Sequence, residues 1–305
     1  VGAEFYGTIF YIAESTHTAG VIWVATDDGR LQITRNGGDS WVDVTPRNLK
    51  GAQINAIEVS PHEPGVAYIA VAGYKMNDFE PYIYKLTDFG KRWIRLDSDL
   101  PDDNFVRVVR ADPEREGLLY AGSEGGLFVS FDDGDHWQSL NMNFPTVPIT
   151  DLRVRQNTLI AATQGRGFWA LDELTVIRQL NVNLSEKRLH VFKPKPSSLM
   201  RWGGRTAANE GKNPPSGVVF SYFLAEEFEG PLSIDIRDTD GTVVRTYSSE
   251  ERDFDRCVMG NMTPRLAFSM KYPPMKPGLN QWTWDMRKEG LTCIDDIRLF
   301  AGFSG

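Results

Sequence analysis

From Tyr6 to Leu174 the chain alternates short apolar runs with clusters of Gly, Asn, Asp and Pro, and no run holds the 3.6-residue period of an amphipathic helix. Runs at Ile22–Thr26, Tyr68–Val71, Leu119–Gly122 and Leu159–Thr163 are rich in β-formers. They share a small residue, read as Ala25, Ala70, Ala121 and Ala162. A further strand precedes three of them, at Ile54–Val59, Val106–Arg110 and Ile149–Val154, and Tyr6–Ala13 fills that place in the first unit. The spacing is roughly 40 to 50 residues with about four strands per unit, which predicts β-propeller blades rather than helical solenoid repeats.

A turn motif recurs three times with Trp in register. It reads Asn36, Gly38, Trp41, then Asp88, Gly90, Trp93, then Asp132, Gly134, Trp137. The Asn or Asp side chain is expected to accept hydrogen bonds from backbone N–H groups of a hairpin, Gly to supply the positive φ, and Trp to fold beneath as an apolar plug. The fourth unit, through Gly165, Gly167 and Trp169, carries a third strand but neither this turn nor a clear fourth strand. That leaves a sheet edge to be covered by something else.

The chain has 305 residues, enough for two domains, and 41% of them are hydrophobic, which is ordinary for a globular protein. A formal net charge of −8 argues against a duplex nucleic-acid binder, and no apolar stretch is long enough for a transmembrane helix. The start, Val1-Gly2-Ala3-Glu4, has neither an initiator Met nor a signal pattern, so the true N-terminus is expected upstream. The two cysteines, Cys257 and Cys293, lack the partners of a zinc site, and they leave both a disulfide and two free thiols open. No metal or cofactor is expected.

The turns, together with Tyr6–Phe10, Tyr82–Asp88, Asn104–Pro113, Gly125–Gly134 and Gly165–Trp169, resemble the bacterial Asp-box (BNR-repeat) proteins labelled glycosyl hydrolases, whose propeller is similar to that of sortilin-type receptors. The resemblance implies an extracytoplasmic, ligand-binding propeller with further blades, supplied by the same precursor or by another subunit. It also implies that the Asp-box residues are structural.

Whether the chain is an enzyme stays open. Glycoside hydrolysis needs two placed carboxyl groups, and among 41 Asp and Glu no pair, Asp27/Asp28 and Asp102/Asp103 included, stands out. A sialidase would need converging arginines; Arg107, Arg110, Arg153 and Arg155 lie on or beside inner strands, where inter-blade salt bridges are the other reading. The second unit has about seven extra residues within Gly73–Tyr82, in a loop on the face opposite the Asp boxes. Tyr74, Phe79, Tyr82, Arg107 and Arg153 are therefore the candidate ligand face, for a protein or a glycan; packing on the next blade is the alternative. The leading expectation is a binding or scaffolding module, with a glycoside hydrolase completed by absent blades as the alternative.

Residues 1–178 are expected to form the blades, 179–214 a polar connector, and 215–305 an immunoglobulin-like or fibronectin type III-like sandwich. Gly217–Leu224, Leu232–Arg237, Thr242–Tyr247 and Gly278–Arg287 read as its strands.

Overall fold

The computed structural model describes residues 7–47, 49, 51–180, 183–199, 215–250 and 272–288. The chain divides into two compact units, Val1–Arg178 and Gln179–Gly305. Cys257 and Cys293 lie outside the described residues.

The first unit is all β. Three sheets have four antiparallel strands in chain order: β1 (Ile9–Glu14), β2 (Ile22–Thr26), β3 (Leu31–Thr34) and β4 (Val42–Asp43); β5 (Gln53–Val59), β6 (Ala67–Ala72), β7 (Tyr82–Thr87) and β8 (Arg92–Arg95); and β9 (Val106–Ala111), β10 (Leu119–Ser123), β11 (Gly126–Ser130) and β12 (Gln138–Ser139). The fourth has three strands, β13 (Ile149–Arg155), β14 (Thr158–Thr163) and β15 (Phe168–Leu171). Up-and-down sheets of this kind are the form of propeller blades and are called blades below. No strand pairing joins the first to the fourth among the described residues. A short helix, α1 (Leu174–Gln179), follows β15 and buries Leu174, Val176 and Ile177; the sequence reading had no helix here.

Every blade carries a β-bulge at the same place in its inner strand, with Phe10, Asn55, Arg107 and Thr150 as the extra residues. The bulge sets the true equivalence of the repeats. The residues that follow it pair with Ala25, Ala70, Gly122 and Ala162, so Gly122, not Ala121, is the third small residue. The position packs against the next blade: a Cβ on Gly122 would lie 2.5 Å from Ile149 Cγ2.

Two of the three motif turns form as expected. Asn36 Oδ1 accepts from Ser40 N (3.0 Å) and Thr34 Oγ1 from Gly38 N (2.9 Å); Asp132 Oδ1 accepts from His136 N (2.9 Å) and Ser130 Oγ from Gly134 N (2.8 Å). The turn at Asp88 differs. Leu86 stands where the others have Thr34 or Ser130, so no hydroxyl can accept from the turn, and Thr87 pairs directly with Arg92. The tighter loop places Asp88, Phe89 and Gly90 at φ of 51°, 55° and 85°.

The Trp plug also depends on the neighbour. Trp137 is buried and its Nε1 donates to Leu96 O of the second blade, Trp93 is half-buried edge-on to Tyr84, and Trp41 is exposed. Glycine follows the same rule: a Cβ on Gly90 would meet Val44 of the first blade at 2.6 Å, one on Gly134 would meet Leu96 at 2.8 Å, and one on Gly38 meets nothing within 4 Å.

At the same end, Ser15, Ser60 and Asp112 each accept from two backbone N–H groups of the loop they open. The carbonyls of Gly20, Gly65 and Gly117 in these loops accept from Gly37, Phe89 and Asp133 of the motif turns. His17 Nε2 reaches Ser60 O (3.1 Å) and His62 Nε2 reaches Asp112 O (2.7 Å), tying the first blade to the second and the second to the third. Buried Asp112 is held by Arg178 Nε (3.0 Å to each oxygen), which anchors α1.

The second unit has a three-stranded sheet, β16 (Leu189–Val191), β17 (Val218–Leu224) and β20 (Gly278–Trp284), and a hairpin of β18 (Ser233–Arg237) and β19 (Val243–Ser248). The segment read as a pure connector thus contributes β16; three residues were too short to show a period against the flanking Lys and Arg. Tyr222, Leu224, Leu232 and Trp282 form the core, with Tyr247 edge-on to Trp282.

Gly134→Ala is expected to cost about 2–4 kcal/mol, from a left-handed φ plus the clash with Leu96, and Gly38→Ala only about 1–2 kcal/mol from φ alone. Urea unfolding of the two variants checks this; equal losses would mean that blade packing does not select the glycine.

Candidate functional site

The inner strands β1, β5, β9 and β13 converge on one guanidinium. Arg110, with a side chain 3% exposed, donates from Nε to Leu152 O (2.8 Å), from Nη1 to Val109 O (3.0 Å), and from Nη2 to Tyr11 OH (3.0 Å) and Asp151 Oδ1 (2.6 Å). Its Nη1 also lies 3.6 Å from Glu58 Oε2. One side chain thereby touches all four blades. Glu58 Oε1 accepts from Ala111 N (3.3 Å). Burial pushes the Glu58 carboxyl up to about 7, against the pull of the Arg110 and Arg153 charges and with a further push from Asp151. Glu58 can therefore hold and release a proton near neutral pH, beside a second carboxylate held by Arg110.

The second locus is the Gly73–Pro81 segment between β6 and β7. It makes a single 3-10 turn at Tyr74–Met76, closed by Asn77 at φ 60°. Tyr74 stacks on Phe105 of the third blade with ring centroids 5.0 Å apart and planes 19° from parallel, and Phe79 approaches the same ring at 6.3 Å. The Arg107 guanidinium lies 4.9 Å from the Phe105 centroid and is held by Glu124, with Nε at 3.0 Å and Nη2 at 2.8 Å. Lys75 Nζ donates to Gln53 Oε1 (2.8 Å), pinning the loop to β5. Phe79 and Met76 remain 41% and 49% exposed.

Tyr74, Phe79 and Arg107 are thus brought together, around Phe105, which had no periodic signal of its own in the sequence. Tyr82 is set apart: its hydroxyl donates to Asp78 Oδ2 (2.8 Å) and Arg95 covers its ring at 4.7 Å, so it braces the base of the loop. Arg153 is exposed, and its charge acts on Glu58. The four arginines do not converge: Arg107 pairs with Glu124, Arg110 is buried in its network, and Arg153 and Arg155 are exposed. Asp27 accepts from Gly7 N and Thr8 N, and Asp28 pairs with Thr26 and Arg30, so this acidic pair is occupied in local structure. Asp102 and Asp103 lie exposed in a turn.

A cleft of about 300 Å³ between the second and third blades, at the motif-turn end, is lined by His62, Tyr68, Lys85, Glu116 and Asp133. Tyr68 and Lys85 both donate to Asp133, and burial raises the Tyr68 hydroxyl. Sequence reading missed it because these residues come from two repeats. Among the described residues no group of three or more His, Cys, Asp or Glu is placed to hold a metal ion, and no helix is long and apolar enough to cross a membrane.

Two outcomes follow from the Arg110 network. A carboxyl whose folded pKa is raised keeps its proton while the unfolded chain loses it, so this group's contribution should fall between about pH 4.5 and 7, by an order of 3 kcal/mol in total. Glu58→Gln should remove that slope from chemical unfolding measured across this range; an unchanged slope refutes the assignment. Arg110→Met should lower stability by about 1–3 kcal/mol, since it removes the donor that serves the Leu152 and Val109 carbonyls, a loss that denaturant midpoints would register.

No known family profile matches the chain. It is 28% identical over 127 residues to an oligoxyloglucan-reducing end-specific xyloglucanase of Emericella nidulans, a stretch covering 41% of this chain and 16% of that one. The chain therefore spans about a sixth of the curated relative it matches. Among solved structures it is similar to a GH74 enzyme from Niastella koreensis (15% identity, TM-score 0.46, 72% of this chain and 36% of that chain) and to a GH74 xyloglucanase from Xanthomonas campestris (20%, 0.44, 55% and 28%). It is also similar to YCF48 from Cyanidioschyzon merolae (19%, 0.41, 56% and 55%).

Proposed function

We propose that the chain is a binding module, exported or surface-facing, that takes a protein or glycan ligand on the loop face of its second and third blades. In this reading the repeats are Asp-box propeller blades of the sortilin-like kind, and the second unit is an immunoglobulin-like companion domain. The observation that carries it is the Gly73–Pro81 loop. Tyr74, Lys75 and the Phe105–Arg107–Glu124 support hold it in place, while Phe79 and Met76 stay open to solvent. An aromatic and a thioether held on a rigid base lose little freedom when they meet a ligand. Arg107 and Glu124, grouped around Phe105 at the base of the loop, supply a donor and an acceptor that can set specificity.

A second reading, a glycoside hydrolase, is favoured by the match to the xyloglucanase and by the protonatable Glu58 set near Asp151. It requires residues outside this chain to complete a substrate cleft.

Binding of the 305-residue protein to immobilised xyloglucan and to a peptide array separates these readings. The binding reading expects retention on one of the two surfaces, weakened at least about tenfold by Phe79→Ala with an unchanged melting temperature. Retention indifferent to Phe79→Ala removes the loop from the proposal. Release of reducing ends from xyloglucan, abolished in Glu58→Gln, would replace the binding reading with the hydrolase.

A further inference from the structure

The seam between the second and third blades departs from the one before it at three equivalent positions, all at the motif-turn end. Between the first two blades, Trp23 and its cross-strand partner Ile33 are 1% and 2% exposed. Phe89 of the following turn packs against their cluster, with the Arg35 guanidinium 4.0 Å from its ring centroid. One seam on, the places of Trp23 and Ile33 hold Tyr68 and Lys85, paired in the same register. Asp133 takes the place of Phe89, since each donates its N–H to the loop glycine of its own blade, Gly117 or Gly65. Tyr68 and Lys85 both donate to Asp133, at 2.5 Å. Three apolar groups thus give way to a hydrogen-bonded polar set, and this seam carries a cleft of about 300 Å³.

The next seam shows what such a place accepts. There the Arg178 side chain, 9% exposed, enters between the Asp112 loop of the third blade and the β13–β14 turn of the fourth. Its Nε lies 3.0 Å from both Asp112 oxygens, Nη1 lies 2.8 Å from Glu114 Oε2, and Nη2 donates to Gln156 O (2.8 Å). Ser60 and His62 are the second-blade equivalents of Asp112 and Glu114, because Ser60 accepts from His62 N as Asp112 accepts from Glu114 N. Both line the cleft, and no arginine does. Lys85 and Asp133 offset each other there, whereas Glu63 and Glu116 are exposed and their side chains make no hydrogen bond or ion pair to a described residue. His62 Nε2 donates to Asp112 O, which leaves Nδ1 as an acceptor. We propose that this cleft binds a cation on an alkyl stem, the arginine or lysine side chain of a partner or a free amine of that form. The cation sits between Glu63 and Glu116 as Arg178 sits between its own acceptors. The site shares no residue with the Gly73–Pro81 loop, so it stands whether or not that loop binds a ligand.

Calorimetry and ligand-observed NMR on the full chain test it, with N-acetyl-arginine amide, N-acetyl-lysine amide, agmatine and the uncharged isostere N-acetyl-citrulline amide as probes. A cationic probe should bind with a Kd of about 1 mM or lower, and the citrulline amide at least about tenfold more weakly. Tighter binding of an amide than of agmatine assigns the site to a partner's side chain, and the reverse assigns it to a free amine. Glu63→Gln and Glu116→Gln lie at exposed positions, so both should keep the wild-type melting temperature while weakening cation binding several-fold. Tyr68→Trp, Lys85→Ile and Asp133→Phe together give this seam the residues of the one before it, and should abolish binding with the circular dichroism of the β fold retained. Phe79→Ala should leave cation binding unchanged. Citrulline binding as tightly as arginine, arginine binding indifferent to both glutamine variants, binding lost in Phe79→Ala, or no binding at about 10 mM would each overturn the cleft as a cation site.

Discussion

The four blades hang on a buried cation. Arg110 has a fixed fork of donors and almost no contact with water, and an unpaired charge in that position would cost several kcal/mol. Its demand is met by carbonyls of Val109 and Leu152, the Tyr11 hydroxyl, and the Asp151 and Glu58 carboxylates. Because these groups come from four different inner strands, satisfying one side chain sets the relative position of all four sheets. Specificity of this sort does not require the pair to be strongly stabilising; it requires that every alternative arrangement leave a charge stranded.

Around that centre the boundaries are apolar and close. Small residues at Ala25, Ala70 and Gly122 let the inner strand of the next blade approach, and Gly90 and Gly134 do the same for the turns. The second locus grows from the same principle applied to a longer segment. Residues added between β6 and β7 have no place within their own sheet, so the loop leans across the boundary and stacks Tyr74 on Phe105. Contact with the third blade holds the loop at Tyr74, while Phe79 and Met76 stand exposed.

Legibility in the sequence followed the range of the interaction. The hairpin turns at Asn36 and Asp132 were readable because acceptor, glycine and Trp lie within a few residues of one another. The turn at Asp88 was misread although the signal was there: Leu86 lacks the hydroxyl that Thr34 and Ser130 supply. The third small residue was placed one position early, since a β-bulge shifts register without altering the local pattern of apolar residues. Trp41 carries the same motif as Trp137 and is exposed, with no blade beside it among the described residues.

By itself, the sequence determined the repeat, most of its strands and the turns at Asn36 and Asp132, because each depends on alternation and on side chain to backbone bonds between near neighbours. The blade boundaries, the raised Glu58 carboxyl and the grouping of Tyr74 and Phe79 with Arg107 were decided only in the tertiary structure. Arg110 meets Asp151 at a separation of 41 residues and Tyr11 at 99. No local pattern encodes partners so far apart; they are set by which faces the strands turn toward one another once the blades pack.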